Sequence, residues 1–581
     1  MEKKTKLIIS IMLSLALVLG GTYAAWNFLT EKTQIIVNID GDQISYNAGA
    51  GLTVNGMMPV YSMEQGVVKE IEIYKENGDY TAGMNLYLNL TSWPSELSSS
   101  SFRYAVYKNG IYISSGDMSG KKQGDKVKIT GYTQKINLEE NKDLYTLYLW
   151  LDAYSESNEN IMNKSFTVNL YGEVTFYDGN EVTVNEVEPN APDLVDGMIP
   201  VRYDYKINEW VKADSTNTNN NWYSYENKIW ANAVLVDSDS RSNYMNASID
   251  TPVSEDDILA YYVWIPRYKY VLFNVNSEVI DPIEIQIEFE KETDPISQGD
   301  ENGEFLSHPA FWWDNNSDGI RAVDGTEEIA GIWVGKFETG GTVSEPKVKP
   351  NVQAATGLNV YNLFNMNKNI QNTNYLTETG VIEADAHMIK NTDWGTVAYL
   401  SHSRYGINKT ITINDNSNHI SGRQGNYTYN DFVVSGGTIT SNKKPGTGTK
   451  ASTTGNVYGV YDIAGCGSEY VMGVNKSSGA NHAPCYKNSG FNANNIPQLK
   501  YYNLYEYTST SSDYTKRILG DATGETNGWY GATKKFINSS DCWFTRGGNK
   551  AYYHSGGGFY IYPYSGGGQI EHSSRGVLLK P

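Results

Sequence analysis

Short apolar runs with a period of two residues dominate the first third of this 581-residue chain. Side chains in a β-strand point alternately to the two faces of a sheet, and β-branched and aromatic residues favour strands. Turn signals such as Asn109-Gly110 separate the runs, and no helical period of useful length interrupts them. The pattern predicts an antiparallel β-sandwich over residues 33–180. The runs are Ile35–Ile39, Val67–Tyr74, Met84–Leu90, Phe102–Tyr107, Tyr145–Leu151 and Phe166–Val174.

The composition is that of a folded protein, and the length predicts two or three domains. The net charge of −20 comes with no basic stripe, which disfavours nucleic acid and anionic membrane surfaces as partners. An acidic excess keeps an exported protein soluble and also suits cations such as calcium. Tyr is frequent, with 45 residues against 15 Phe. This residue suits both strands and binding surfaces.

The N-terminus predicts an export signal. Met1–Lys6 is basic, Leu7–Gly21 is apolar, and small residues follow up to Trp26. Residues 1–28 are therefore a signal peptide, cut after Ala24 or Ala25, or an uncleaved membrane anchor. In both cases we expect the rest of the chain to be extracellular or at the cell surface, with the membrane as a partner if the segment is uncleaved.

Together with this signal, which runs Gly20-Gly-Thr-Tyr-Ala-Ala-Trp26, residues 33–180 resemble the camelysin/TasA-type exported β-sandwich proteins of Gram-positive bacteria. The resemblance implies a spacer or assembly module, and we find no catalytic constellation in this region. Residues 181–196, with prolines and several acids, predict a linker.

The remainder contains several motif pieces in a fixed order. A strand-like run, Ile329–Glu338, precedes the best helix candidate, Thr392–Tyr405, which Thr392 or Asp393 would cap and whose residues Trp394, Val397, Ala398 and Ser401 share one face. Three C-terminal pieces follow, namely Gly455–Val471, Trp543–Gly548 and Ser573–Leu579.

These pieces resemble the formylglycine-generating-enzyme/sulfatase-modifying-factor family, which has a C-type-lectin-like fold. The resemblance implies an α+β C-type-lectin-like domain over residues 197–581. A polar insertion is predicted at about 408–450.

The segment Asp462–Glu469 contains two carboxylates that flank glycines. A hard cation requires six to eight oxygens, and glycines let a tight loop turn its carbonyls inward. The resemblance implies a calcium site with side chains of Asp462 and Glu469 and carbonyls of Gly465 and Gly467. The alternative is a plain strand–turn–strand in which Glu469 pairs with Arg546.

The resemblance implies copper-dependent oxidase chemistry only if two cysteines follow Arg546-Gly-Gly548, because Cu(I) binds soft thiolates. No cysteine occurs after Cys542, so we expect neither copper nor this activity. Cys466 and Cys485 pair in an oxidising compartment, or all three cysteines are buried thiols.

The segment 549–573 combines rigid aromatic residues with a Gly/Ser backbone, which is typical of binding surfaces. The alternative is a Gly-rich loop whose Tyr residues pack on the core. We expect Arg546 and Arg575 to be internal anchors. The sequence thus predicts a cell-surface protein that recognises an extracellular protein or glycan. An enzyme with a non-standard active site and a structural envelope or fibre component are the alternatives. The predicted ligand-binding residues are Tyr552, Tyr553, His554, Phe559, Tyr560, Tyr562, Tyr564, Gln569 and His572.

Overall fold

The structure is a computed structural model, and it divides into two compact units, Met1–Val184 and Asn185–Pro581. The described residues are 33–37, 44–47, 51–75, 81–99, 101–130, 134–135, 142–153, 161–177, 188–291, 296–313, 321, 327–350, 352–371, 384–411, 434–435, 451–479, 483–548 and 557–580. Residues 1–28 lie outside this set, as does most of the predicted insertion.

The described part of the first unit is built from strands. In one sheet the strand order is β1-β5-β11-β7-β8, with β4 also paired to β11, and in the other it is β10-β6-β12-β2, with β3 on β12 and β9 on β6. The strands are β1 (Thr33–Val37), β2 (Ile44–Asn47), β3 (Leu52–Met57), β4 (Pro59–Val60), β5 (Val67–Lys75), β6 (Thr81–Ser92), β7 (Phe102–Lys108), β8 (Ile111–Asp117), β9 (Lys126–Lys128), β10 (Gln134–Lys135), β11 (Lys142–Asp152) and β12 (Lys164–Tyr177).

Alternation along these strands builds one apolar core from both sheets. Leu147, Leu149 and Leu151 of β11 and Phe166 of β12 are each at most 1% exposed and belong to the same cluster. Five of the six apolar runs fall entirely in strands, and the sixth, Ile35–Ile39, lies in β1 as far as Val37, beyond which it is outside the described residues. The prediction of a mainly β chain is confirmed. The expectation of purely antiparallel pairing is wrong, because β1 pairs with β5 and β4 with β11 in parallel.

The second unit contains three α-helices in its described part, together with the remaining strands. The helices are α1 (Ser238–Asn246), α2 (Val360–Lys368) and α3 (Asn391–Ser401). The strands are β13 (Ile199–Asp204), β14 (Glu209–Lys212), β15 (Asn232–Val236), β16 (Ile258–Pro266), β17 (Tyr268–Val271), β18 (Ile287–Phe289), β19 (Phe305–Ser307), β20 (Gly331–Gly335), β21 (Gly340–Gly341), β22 (Pro346–Lys347), β23 (Val352–Gln353), β24 (Asp385–Met388), β25 (Val434–Ser435), β26 (Ser468–Asn475), β27 (Asn503–Tyr505), β28 (Trp543–Gly547), β29 (Gly557–Tyr564), β30 (His572–Ser573) and β31 (Gly576–Leu579).

Two sheets organise the second unit. The larger has the order β14-β13-β15-β16-β20-β31-β24, and all of its pairings are antiparallel. The other has the order β27-β26-β28-β29, with β30 also paired to β26. The C-terminal motif pieces meet here, since Gly455–Val471 leads into β26, Trp543–Gly548 forms β28, and Ser573–Leu579 contributes to β30 and β31.

Helix α3 lies where it was predicted and is buried along its whole length. The expected cap is wrong: Lys390 precedes the helix, and Asp393 in the first turn accepts a hydrogen bond from the Lys390 N–H at 2.9 Å. Gly395 allows a close approach, because a Cβ there would lie 1.9 Å from the carbonyl oxygen of Gly520. The helix therefore packs directly against the backbone of the loop that contains Gly520.

The segment 188–196, part of the predicted linker, packs against the second unit. The Trp264 indole donates to the Asn190 carbonyl at 3.1 Å, and the Trp333 indole donates to the Asp193 carbonyl at 2.7 Å. Pro192 and Val195 are buried. This stretch therefore continues the fold of the second unit.

The predicted cysteine pairing is wrong. Cys485 and Cys542 form the disulfide, with Cα atoms 6.2 Å apart, and Cys466 is a buried free thiol. The alternative of three buried thiols is wrong as well. The bond joins the loop after β26 to the start of β28, where Asn475 N–H already donates to the Cys542 carbonyl at 2.9 Å.

Candidate functional site

The loop predicted to bind calcium is buried and adopts left-handed backbone geometry. Asp462 and Cys466 have φ values of +59° and +57°, and Gly465 has +92°. Asp462 and Glu469 are both fully buried. Residues other than glycine rarely adopt a positive φ, so the surrounding structure must hold this turn in place.

Glu469 is bound by an arginine in the structure. Arg575 donates from Nη2 to Oε1 at 2.6 Å and from Nε to Oε2 at 3.1 Å. It also donates to the carbonyls of Tyr461 at 2.8 Å and Gly335 at 2.9 Å. The expectation that Arg546 is the partner is wrong, and the expectation that Arg575 is an internal anchor is confirmed.

The neighbouring groups complete what we call the buried charge cluster: Glu338, Asp462, Cys466, Glu469 and Arg575. The Gly467 N–H donates to Glu338 at 2.9 Å. Burial, followed by the charge of Glu469, raises the pKa of Glu338 well above its usual range. Burial and the nearby Glu338 also raise the pKa of the Cys466 thiol.

Both oxygens of Glu469, one of the calcium ligands that the resemblance implies, accept hydrogen bonds from Arg575 in this structure. Among the residues that the structure describes, no group of three or more His, Cys, Asp or Glu side chains is placed to hold a metal ion. Calcium binding at this loop stays a prediction.

Arg546 anchors the second motif piece inside the protein. Its guanidinium donates to Asn391 Oδ1 at 2.8 Å and to the carbonyls of Asp521 at 3.0 Å and Ala522 at 2.9 Å. Burial lowers its pKa to about 10. The group ties β28 to the start of α3 and to the loop after Gly520, so its expected role as an internal anchor is confirmed.

The predicted ligand-binding residues divide into three groups. Tyr552, Tyr553 and His554 lie outside the described residues. Phe559, Tyr560 and His572 are 8%, 0% and 2% exposed, so in this structure they pack inside the protein. Tyr562 and Tyr564 are half-buried, and Gln569 is exposed.

Burial along β29 does not simply alternate between its two faces. Tyr560, Tyr562 and Tyr564 share one face of this strand, but Tyr560 is buried whereas Tyr562 and Tyr564 are half-buried, and the register with β28 shifts between Gly557 and Ile561. The rings of Tyr564 and His572 meet at 4.1 Å between centroids. His572 also contacts Tyr470 at 4.7 Å, and burial lowers its pKa to about 3. Tyr562 therefore lies in an aromatic row between the buried Tyr560 and the half-buried Tyr564.

On its other face, β29 borders a small aromatic cleft that is partly open to solvent. Trp529 packs on Phe559 at 5.0 Å between centroids, and Tyr530 is 39% exposed above them. The His402 ring nitrogen Nε2 contacts the Tyr530 hydroxyl, and burial lowers the pKa of His402. The cleft is lined by Ser401, Lys409, Thr410, Ile411, Trp529, Tyr530, Ala532, Gly557, Gly558 and Phe559.

The interior of the cleft is small. Only about 10 Å³ of it accommodates the centre of a water molecule, which is about the space of a single water. A ligand therefore meets the rings that surround the cleft and does not enter it with a large group.

Residues 533–535 run alongside β29 at its edge, and their side chains reach both faces of the strand. The Lys535 N–H donates to the Ile561 carbonyl, and the Ile561 N–H donates to the Thr533 carbonyl, both at 3.0 Å. The Lys535 ammonium lies 4.9 Å from the centre of the Tyr562 ring. Lys534 turns the other way, toward Gly528.

The sequence pattern did not predict Trp529, Tyr530 and Lys535 as site residues. The available signal was the run Gly528-Trp-Tyr-Gly531, in which glycines flank two aromatic residues. Gly528, Tyr530 and Gly531 all have positive φ, at +81°, +56° and +70°. Such a turn projects an aromatic side chain from the surface.

Comparisons with known proteins do not place the chain in a family. No protein-family model matches it, and neither does any curated protein. A solved structure of the insecticidal delta-endotoxin Cry8Ea1 from Bacillus thuringiensis is 8% identical over 24% of this chain and 20% of that chain, with a TM-score of 0.14. Dimeric latent PorU from Porphyromonas gingivalis is 10% identical over 28% of this chain and 17% of that chain, with a TM-score of 0.13. Likenesses this weak carry no argument about fold or function.

In the part of the chain that the structure describes, there is no helix with the length and apolar character needed to cross a membrane.

Proposed function

We propose that this chain is an exported cell-surface protein whose second unit recognises an extracellular protein or glycan. The observation that carries the proposal is the aromatic cleft, where Trp529 and Phe559 support the exposed ring of Tyr530. Binding sites are concave and lined mainly by apolar and aromatic side chains with a few polar groups. Tyr and Trp are also enriched among the residues that dominate binding energies.

The strand beside the cleft provides a rigid support. Thr545 of β28 is the register partner of Tyr562, and its hydroxyl donates to the Tyr562 carbonyl at 2.9 Å. A half-buried Tyr fixed in this way loses little conformational freedom when a ligand binds. Tyr562 and Tyr564 therefore present a second set of aromatic rings, on the face of β29 that points away from the cleft.

The wider proposal assigns a role to each unit. The first is a β-sandwich of the camelysin/TasA type that serves as a spacer or assembly module, exported by residues 1–28 and tethered by them if they are not cut. The second is an α+β C-type-lectin-like domain. The pairing of β26 with β28 and the bond between Arg575 and Glu469 support this resemblance, because they join motif pieces that are distant in sequence.

The test is a screen of the full chain against immobilised glycans and surface proteins. For any ligand captured at the cleft, Tyr530→Asn should weaken binding by about tenfold, as expected for an aromatic contact residue. Asn is chosen at position 530 because it tolerates the positive φ.

Tyr507→Ala is the matched control. Tyr507 is 36% exposed and follows β27, at the opposite edge of the same sheet from β29. Equal binding by the parent chain and by Tyr530→Asn, or equal losses in the control, would contradict the proposal.

A further inference from the structure

The aromatic cleft is one continuous surface, because its rings contact one another directly. The Trp529 ring packs on Phe559 at 5.0 Å between centroids, and the Tyr530 ring stacks on Phe559 at 6.3 Å with 26° between the two planes. The buried His402 ring lies 5.0 Å from Trp529 and 5.6 Å from both Tyr530 and Phe559. These four side chains therefore form one cluster, on the face of β29 that carries Phe559.

This cluster holds Tyr530 in place and leaves much of its ring accessible. Phe559 covers one face of the ring, the hydroxyl contacts Nε2 of His402, and the residue is still 39% exposed. Burial lowers the pKa of His402, so the imidazole meets the hydroxyl as a neutral group at neutral pH. An aromatic ring that is held both at one face and at its hydroxyl loses little conformational freedom when a ligand binds.

Trp529 provides a buried hydrogen-bond donor in the wall of the cleft. The residue lines the cleft and is 0% exposed, and within the described residues its indole N–H has no hydrogen-bond partner. Buried donors in folded proteins are nearly always paired, so this one indicates an acceptor that the described part of the chain does not supply. Ser401 and Thr410 add hydroxyl groups to the same lining.

The size and charge of the cleft decide which chemical group fits inside it. Its interior has the space of about one water molecule. A hydroxyl group has about this size, and it both accepts and donates hydrogen bonds. A carboxylate is larger, and an ammonium group would meet no carboxylate there, because the one charged side chain in the described lining is the exposed Lys409. Since burying an unpaired charge is costly, the cleft suits a neutral hydroxyl group.

An accessible aromatic ring next to a space of this size matches a sugar better than a protein. The C–H groups on one face of a sugar ring are weakly positive and pack against the negative face of an aromatic ring, while hydroxyl groups project from the edge of the same sugar. Protein ligands typically insert a large side chain into a pocket, for which this cleft has no room.

From these observations we infer that the aromatic cleft binds a neutral saccharide. One sugar ring stacks on Tyr530, and one hydroxyl group of that sugar enters the cleft, where it accepts a hydrogen bond from the Trp529 indole. This inference rests on the proposed recognition function and specifies its ligand class.

The first experiment screens the full chain on an array of neutral oligosaccharides of hexoses, deoxyhexoses and N-acetylhexosamines. Titration calorimetry then measures the affinity for the one that binds best. The parent chain should bind at least one of them. The per-O-methylated form of that oligosaccharide should bind at least about tenfold more weakly, because a methoxy group is larger than a hydroxyl and donates no hydrogen bond. Raising salt from about 50 to 300 mM should leave the affinity unchanged, since no ion pair contributes to binding.

The variant Ala532→Val fills the interior of the cleft. Ala532 lines the cleft, is 7% exposed and has φ −58° and ψ 142°, a conformation that Val adopts readily. The substitution should weaken saccharide binding by at least about tenfold, because the hydroxyl group can no longer enter.

The variant Trp529→Phe keeps an aromatic ring and removes only the N–H donor with part of the ring system, so it should weaken binding by about three- to tenfold. Trp543→Phe is the matched control. Trp543 is also 0% exposed and its indole N–H also has no partner within the described residues, but it does not line the cleft, so this variant should bind like the parent chain. Urea unfolding establishes that each variant folds, and if Trp529→Phe does not, Ala532→Val and the methylated saccharide still test the inference.

Several results would overturn the inference. These are an array on which no neutral oligosaccharide binds, equal affinity for the methylated form, an unchanged affinity of Ala532→Val, and equal affinities of Trp529→Phe and Trp543→Phe. The proposed function fails separately, when Tyr530→Asn leaves the binding of every captured ligand unchanged. If Tyr530→Asn weakens the binding of a captured protein while no neutral oligosaccharide binds, the proposed function stands and only the ligand class is wrong.

Discussion

The two units place their charges differently. In the first, strand β11 alternates between buried and half-buried positions. Among the residues described there, Arg103 of β7 is a buried cation, and it retains 9% exposure. Within the described residues, all fully buried cations belong to the second unit: Arg267, Lys336, Arg546 and Arg575. The first unit is held together mainly by apolar burial, whereas the second also depends on polar contacts that must all be made at once.

The largest expected effect comes from breaking a buried pair in the second unit. Arg575→Met leaves Glu469 buried without its partner and should lower the free energy of unfolding by about 3–5 kcal/mol. Urea unfolding measures this loss. The double variant Arg575→Met/Glu469→Leu should recover part of it, because no buried charge is then left unpaired.

Arg202→Met in the same unit is the matched control. Arg202 pairs with Asp250 at 2.7 Å, but the Asp250 side chain is 57% exposed. Removing such a surface pair should change stability by about 0–1 kcal/mol. Similar losses for Arg202→Met and Arg575→Met would show that burial is not what distinguishes the two units.

A second prediction concerns the pH dependence of stability that one buried acid of the second unit, Glu525, should cause. Burial raises the pKa of Glu525 from 4.5 to about 7, although the Gly520 N–H and the hydroxyls of Tyr399 and Tyr270 donate to its carboxylate and oppose the shift. The folded pKa lies above the unfolded value, so the folded protein holds the proton more tightly than the unfolded chain does. The resulting contribution to the free energy of unfolding is fully present below about pH 4.5 and is lost as pH rises through 7.

The parent chain should therefore lose about 3 kcal/mol relative to Glu525→Gln between pH 4.5 and 7.5. Urea unfolding of both chains at the two pH values measures the difference. Contributions from His308 and His572, whose pKa values are lowered to about 3 by burial, are common to both chains and cancel. Parallel pH profiles would mean that Glu525 does not titrate in this range.

The smallest expected effect lies on the surface of the first unit. The Lys126 ammonium lies 4.1 Å and 3.9 Å from the ring centres of Tyr87 and Tyr171. Lys126→Ala should lower the unfolding free energy by only about 0.5–1 kcal/mol, as is typical of an exposed cation–π contact. A loss as large as that of Arg575→Met would remove the contrast between the units.

This contrast also explains how much the sequence could predict. Alternation identified strands of the first unit, and Asn109-Gly110 forms the turn between β7 and β8 with φ values of +51° and +82°. In the second unit, β26 is buried along its entire length, so it shows no alternation between buried and exposed positions. Local signals still located α3, whose sequence carries its own helical pattern.

Long-range contacts were not predictable in the same way. Nothing near Glu469 in the sequence indicates that Arg575, and not its strand neighbour Arg546, binds it. The disulfide depends on how the loop after β26 returns Cys485 to Cys542. Phe559, Tyr560 and His572 of the predicted binding segment are buried, and Phe559 and His572 pack on His402 and Tyr470, which lie far away in the sequence.

The segment 533–535 has a consequence for how ligands meet the second unit. By bonding to both backbone groups of Ile561, it occupies the hydrogen-bonding positions that an extended peptide would otherwise use to add itself to the sheet at that residue. The backbone groups of Ile561 are thus not available for pairing with a peptide. A ligand that binds at this point of the strand would have to be recognised by side chains. Specificity can then change by substitution at Tyr562 or Lys535 while the backbone pairing of the sheet stays the same.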